Sequence, residues 1–576
     1  MSEPNQSLAK ASLAAQLVAF PEFARLAHLA PESGLDEAFL TQILDAAGSL
    51  AEGVLFPFNR AADAEGCALI DGRVQLAKSH DDAWEAFVSG GWTTIDAPSE
   101  YGGAGLPTVI HCACEELFNG ASAAFGMLPT PMRCAVKVID QYASKSIKDE
   151  WIPHLVAGNW GATICISEAD AGSDVPRLKT RAEECPDGEY SITGEKMWIS
   201  FGDHCLTERI GHMVLAKTVD PGTNTSGISL FLVPSAIEGV ANCIHVRRIE
   251  EKLGLHGSPT CALGFDGAKG YLIGTLNRGL SQLFAMIVGM RLSVGSQGAG
   301  IANACADLAW RYAAERKQGG RLDAPAVPIN RHGDVRRLLL GVASRAEMAR
   351  GLVLTAALMS DLAEREEDER QRGEAASLLE WLLPITKNFC AEAAFSCASD
   401  AIQVLGGAGY TTEWPAEQYL RDARVLSIYE GTSGMQALDL VMRRVLGKDS
   451  RPFDVFVTKA KDEIGLSRDR VASSQMAELL SLLEAARSKL VKQSAAQVCY
   501  PFLRLASLST TGWIALRLAG LQGNPLHERL AALGRHWLNI ALPEAQTAAG
   551  LVALGEQLTS EFDAVHASND YRNEVN

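Results

Sequence analysis

The chain has 576 residues, 47% of them hydrophobic and 21% charged, and a formal net charge of −17. These values exclude collagen, a coiled coil and a disordered chain, and at ~100–200 residues per domain the length predicts roughly three to five domains. The acidic balance disfavours a nucleic-acid surface, and residues 451–576, with 13 basic and 13 acidic side chains, supply no basic patch either.

No apolar run nears the ~20 residues of a membrane helix, so no membrane span is expected. The start, MSEPNQSLAKASLAAQLVAF, lacks the charged opening and unbroken apolar stretch of a signal peptide. The 13 cysteines are scattered and form no CxxC pair. They predict free thiols in a cytoplasmic setting, with no disulfide framework and no metal site.

Residues 1–160 are predicted helical, since Leu35 to Leu55 and Ala83 to Val88 place apolar residues at helical spacing. Ser99–Gly105 (SEYGGAG) breaks that rhythm and reads as a tight loop. The pattern changes near Gly161. YSITG, KMWIS and MVLAK between Tyr190 and Thr218, then GISLFLVPS (227–235) and NCIHVRRI (242–249), are short β-branched and aromatic runs between turn residues. They predict a compact sheet or barrel over 161–281. Helical periodicity returns near Leu283, and Gln282 to Lys317, free of proline, reads as one long helix. The stretch 361–374 (DLAEREEDERQRGE) reads as a solvated charged face or loop. Arg451-Pro452 and the polar residues around Ser467–Ser474 predict a boundary. The expected class is mainly α with a β-barrel in the middle: helical over 1–160, β over 161–281, helical over 282–446, and a further helical unit over 447–576.

The densest chemical signal is AIQVLGGAGYTTEWPAEQYLRDARVLSIYEGTSGMQALDL, residues 401–440. Gly406, Gly407 and Gly409 let a ligand approach the backbone closely. Glu430 follows Leu426, Ile428 and Tyr429 with no Lys or Arg beside it in sequence, so its carboxylate could be desolvated and basic enough to abstract a carbon-bound proton. The alternative is a cap on a helix starting near Thr432. ICISEADAGSDV (164–175) offers hydroxyls and backbone N–H groups to a polar ligand, or is simply a turn. GEKMWIS (194–200) sets Trp198 beside Ser200, where an indole could cover a flat ring or fill a core. Arg291 and Arg316 are 25 residues apart, about 37 Å along a helix, on one face. They serve two separate anionic groups, or each is solvated or paired with a carboxylate.

Taken in order, EYGGAGL, CISEADAGSD, KMWIS, AERKQGG, QVLGGAGY and IYEGT resemble the acyl-CoA dehydrogenase family over roughly Leu35 to Leu446. The helical tail and the segments 253–280 and 327–339 resemble a long branch that includes enzymes acting on 3-methylmercaptopropionyl-CoA. The resemblance implies a helical N-terminal domain, a β-barrel and a C-terminal four-helix bundle, with extra C-terminal helices. It also implies FAD held between subunits, an acyl-CoA substrate and an electron-transfer flavoprotein as electron acceptor. Glu430 matches the base that removes an α-proton while the β-hydrogen leaves as hydride to flavin N5. Ile164, Cys165, Ile166 and Ser167, with Trp198, Ile199 and Ser200, match cofactor contacts, and Ser173 a substrate contact. Arg316 matches an arginine that reaches a partner subunit's FAD pyrophosphate. Gln403, Gly406 and Gly407 match the ADP-side stretch, Thr432 a further FAD contact, and Arg291 and Gly431 substrate-side groups. Three positions depart from the family pattern: Ser167-Glu168-Ala169 replaces Thr-Glu-Pro, which predicts a looser loop, Gly319 replaces an aromatic, and Gly434 a frequent Gln.

The length of helix between Arg291 and Arg316 predicts an oligomer, at least a dimer, in which the second arginine serves a neighbour's cofactor. Two other functions compete with a dehydrogenase. One is a flavoprotein that uses the fold as a binding module, for example on nucleic acid. The other is an acyl-CoA oxidase passing electrons to oxygen.

Overall fold

The computed structural model describes residues 6–570 apart from Asp187, 220–225 and Asp449. Its N-terminal third is helical, as expected, with one small hairpin, Ala68–Ile70 against Arg73–Gln75. Asp36 starts the helix Glu37–Leu50 by accepting the Phe39 N–H at 2.7 Å, and Leu40, Leu44 and Ala47 then face inward at helical spacing. The continuous helical run Glu37–Glu65 is the one stretch among the described residues long and apolar enough to cross a membrane, with a mean hydropathy of 1.2. Leu40, Leu44, Ala51 and Leu55 of that run are fully buried in the protein core.

Seven strands form the main sheet of the middle region among the described residues: Trp160–Cys165, Arg181–Glu184, Tyr190–Ser200, Arg209–Val219, Ser226–Pro234, Ile244–Ile249 and Thr260–Ile273. Five of them close a circuit, because Ser226–Pro234 pairs with both Thr260–Ile273 and Arg209–Val219, and Arg181–Glu184 joins the latter to Tyr190–Ser200. Ile192, Phe231, Val233, Leu263 and Phe265 fill its interior. The 14-residue strand Thr260–Ile273 is hidden in the sequence by three glycines. At Gly264 a Cβ would lie 2.2 Å from the Arg247 guanidinium, so the gap in the β pattern is the space that side chain occupies.

The long helix runs Gly279–Glu315, two residues short of the predicted end. Residues 316–318 are drawn instead into pairing with 327–329: Gln318 donates to Val327 O at 2.9 Å and Ile329 donates to Arg316 O at 2.8 Å. Arg316 therefore stands in extended backbone just past the helix. The helices Gly333–Arg365 and Glu369–Leu405 pack alongside. The 361–374 stretch is not uniformly solvated. Asp361 is buried and accepts the Thr108 and Val109 N–H groups at 2.7 and 2.9 Å, and buried Glu366 pairs with Arg25 at 2.6 Å. Both carboxylates are recruited by elements distant in sequence.

Four more helices, Arg451–Leu466, Arg470–Lys489, Ala495–Ala519 and Pro525–Leu554, complete the described chain with the short segments after them. They share one continuous apolar core with the N-terminal helices and the bundle. Trp381 of the bundle stacks on Phe456 at 5.1 Å and donates to Thr510 Oγ1 at 3.1 Å.

Candidate active site

Helices Gly279–Glu315 and Glu369–Leu405 lie side by side and parallel: Gly295 meets Thr386, Gly298 meets the Cys390 carbonyl, and Cys305 faces Cys397. A Cβ at Gly298 would sit 2.4 Å from that carbonyl oxygen, so the close approach requires glycine. Both helices end at the same end of the bundle, where Arg316 and Gln403–Gly407 emerge. The chain then turns back through Ala416–Ala423 to Glu430, which stands beside Lys387, far down the second helix.

Glu430 has a left-handed backbone, φ 53°, and lies outside any helix. The cap of the helix Ser433–Asp439 is Thr432, whose hydroxyl accepts the Met435 N–H at 3.3 Å. Burial pushes the Glu430 carboxyl above its ordinary value, and the charges of Lys387 and Arg291 partly oppose that rise. No Lys or Arg stands beside it in the sequence. The fold brings two to it.

Fully buried Lys387 donates to the Gly431 carbonyl at 2.7 Å. Buried Gln436 donates to the carbonyls of Glu430 and Gly431 at 3.0 and 3.2 Å. Tyr429 donates its hydroxyl to Gln297. Arg291 points inward and pairs with Asp439 at 2.8 Å, with its Nε unpartnered. Lys387 and Gln436 were absent from the sequence reading. A lysine in the apolar stretch LLPITKNFCA was the signal available for the first.

The second part of the site lies at the rim of the barrel. Along Trp160–Cys165 the side chains alternate, so Cys165 is buried in the barrel core while Ile164 and Ile166 pack against the helical core. Only the backbone of Cys165 is left for a ligand, and Ile199 likewise points inward. Trp198 is not a core residue: it is 57% exposed, with φ 66°. Ser167 O accepts the Met197 N–H at 3.0 Å, which ties the 164–168 segment to the Trp198–Ser200 strand.

The residue before Ala169 carries a dense set of hydrogen bonds. Glu168 accepts from Lys179 N, from Thr180 N and Oγ1, and from buried Lys196 Nζ at 2.8 Å. Lys196 also donates to Ile166 O at 3.0 Å. Ser173 is exposed on the following turn.

The third part is at the bundle end. Arg316 is exposed and has no partner among the described residues, and it does not share a helix face with Arg291 because the helix has already ended. Gln403, Gly406 and Gly407 are exposed, and a Cβ at either glycine would meet nothing within 4 Å. Gly406 is demanded by its backbone, φ 61° at the end of the helix Glu369–Leu405, whereas nothing in the chain's packing demands Gly407.

The middle strands, the bundle and the loop bearing Glu430 coincide with three matches to family models. Residues 42–159 match the acyl-CoA dehydrogenase N-terminal domain, 163–268 its middle domain and 277–446 its C-terminal domain. The chain belongs to the acyl-CoA dehydrogenase family, whose members are FAD-dependent oxidoreductases acting on CH–CH groups.

Among its relatives is 3-methylmercaptopropionyl-CoA dehydrogenase of Ruegeria pomeroyi, 36% identical over 84% of this chain and 85% of the relative. A butyryl-CoA dehydrogenase of Syntrophomonas wolfei is 30% identical over 86% of each. The fold is shared with Caenorhabditis elegans ACDH-11 in complex with C11-CoA, at TM-score 0.77 and 19% identity over 98% of this chain and 97% of that one. It is shared also with a Bacillus anthracis acyl-CoA dehydrogenase complexed with FAD, at TM-score 0.72 and 19% identity over 91% and 90%.

Proposed function

We propose that the protein dehydrogenates an acyl-CoA thioester at its α,β bond, with Glu430 as the base. The observation that carries this is the placement of Glu430: a carboxylate on a left-handed turn, lifted above its usual range by burial, with cations close enough to stabilise it once ionised. Such a group holds a proton at working pH more readily than an exposed carboxylate and is a correspondingly stronger base. Its Oε atoms take the α-proton, while Lys387 and Gln436 hold its own backbone carbonyl and that of Gly431 in place. Gly431 and Ser173 belong to the substrate side of this reading. Arg291, already paired with Asp439, contributes charge to the site rather than a free guanidinium.

The residues present fit a flavin. The exposed Trp198 indole beside Ser200 and Ser167 suits a flat ring with polar edges, and free Arg316 with the open Gly406-Gly407 corner suits phosphate and ribose. FAD, when bound, supplies the hydride acceptor, and an electron-transfer flavoprotein is the proposed destination of the electrons. The thioester is proposed to be 3-methylmercaptopropionyl-CoA or a fatty acyl-CoA, in line with the names of the relatives. Free thiols at all thirteen cysteines suit a cytoplasmic enzyme.

The protein is proposed to act as an oligomer, at least a dimer. Arg316 lies about 37 Å of chain from Arg291, too far for both to serve one ring, and its guanidinium has no partner among the described residues. The test is direct: purify the protein and add a panel of acyl-CoAs anaerobically. A yellow protein whose absorbance bleaches with one of them is the expected result. A colourless protein that FAD cannot reconstitute would end the proposal.

A further inference from the structure

The ammonium of Lys387 is the least expected group in the site. It sits in the middle of the helix Glu369–Leu405 with no exposed surface, on the same stretch as Leu383, Ile385 and Cys390. A buried charge is costly unless it is matched, and the match here is the Gly431 carbonyl at 2.7 Å. Gly431 has φ 88° and Glu430 φ 53°, so two consecutive residues hold left-handed backbone at the base. For Glu430 that conformation is unfavourable without support, and the supports are Lys387 and Gln436.

Building on the proposal that Glu430 is the base, we propose that Lys387 is a positioning residue for it. Its ammonium anchors the left-handed turn through the Gly431 carbonyl, and its charge favours the carboxylate form of Glu430. The charged groups around the pair are few. Arg291 faces them from the long helix, paired with Asp439 yet still adding positive charge, and Glu392 lies five residues further along the helix of Lys387. Tyr429 titrates far above the working range. Burial lowers Lys387 itself to about 8, so its charge is lost within reach of experiment.

The test uses the FAD-loaded protein and compares Lys387→Met with the parent. Infrared difference titration follows the carboxyl stretch of Glu430, identified by its disappearance in Glu430→Gln. Removing an opposite charge at this range moves a carboxyl upward by about 1–3 pH units, and that rise is expected in Lys387→Met. A Lys387 that only fills space and braces the helix leaves the Glu430 titration where it is, and that result overturns the proposal.

Stopped-flow reduction by 3-methylmercaptopropionyl-CoA and butyryl-CoA supplies the second readout. The parent is expected to lose rate through an alkaline limb near pH 8, and Lys387→Met to run slower than the parent below that limb and to lack it. If the variant does not fold, the parental profile decides, and a rate flat from pH 7 to 9.5 sinks the role. Glu430→Gln separates the two ideas. If it still reduces its flavin, the base assignment has failed; if it is inactive while Lys387→Met leaves the titration unmoved, only the role of Lys387 has.

Discussion

Glu430 shows how much one side chain's chemistry depends on what surrounds it. Gln is nearly isosteric, so Glu430→Gln is expected to fold and keep FAD, while flavin reduction by any acyl-CoA falls by at least ~10²–10⁴-fold. Rapid-mixing kinetics with a substrate found in the acyl-CoA panel check this, and reduction at the parental rate moves the base to another residue. Because the folded carboxyl titrates above its ordinary value, the rate of reduction is expected to rise with pH through an inflection above the usual carboxylate range. The sign for stability is the reverse. Ionising this group in the folded chain is disfavoured, so stability drains as pH rises through its folded titration, and Glu430→Gln is expected to unfold at the parental denaturant concentration or slightly higher at neutral pH.

The barrel-rim loop is tied down through Glu168, the residue before Ala169. Glu168 draws in four donors, and Lys196 beneath it is a fully buried cation with Glu168 as its charged partner. Glu168→Gln leaves that cation without a counter-charge. Removing one member of a buried pair costs about 3–5 kcal/mol, and the loss is expected to appear as a lower unfolding midpoint together with weaker FAD retention on gel filtration. An unchanged midpoint would mean that Lys196 relaxes to solvent. Against the cost of burial, the charge of Lys196 and then the hydrogen bonds around Glu168 hold its carboxyl below the ordinary value, so this support is full above about pH 4.5 and is lost as the pH falls.

Across the molecule, the C-terminal helices are part of the same body as the catalytic bundle. Arg517 donates to Glu22 at 2.9 Å and Glu463 at 2.6 Å while its guanidinium lies 4.0 Å from the Trp513 ring, and Lys459 adds a second cation to Glu22 at 2.8 Å. The N-terminal and C-terminal helices are thereby joined by a buried charge cluster. The cations hold Glu22 at about 2 against an ordinary 4.5, so its contribution is complete above about pH 4.5 and drains as the pH falls towards 2. Glu22→Gln is expected to cost about 3 kcal/mol at pH 7 and much less at pH 3, measured by denaturant titration at the two values. Ending the chain after residue 446 uncovers Trp381, which packs against Phe453 and Phe456, and insoluble protein is the expected outcome on expression.

How much of this was legible beforehand follows from the range of each interaction. Helical and strand periodicity, the glycine corner at 406–407 and the IYEGT segment are local patterns, readable because neighbours along the chain impose them. The long helix was legible as a helix, but not its end, since the pairing of 316–318 with 327–329 depends on a contact across a loop. Thr260–Ile273 escaped because its glycines break the β pattern, and one of them, Gly264, answers to the Arg247 side chain on another strand. The same holds at the site. Glu430 was visible from its motif, but the cations beside it arrive from helices 43 and 139 residues away in sequence, at Lys387 and Arg291. Electrostatic environment is set by distance in space, which the order of residues does not encode until the helices are packed.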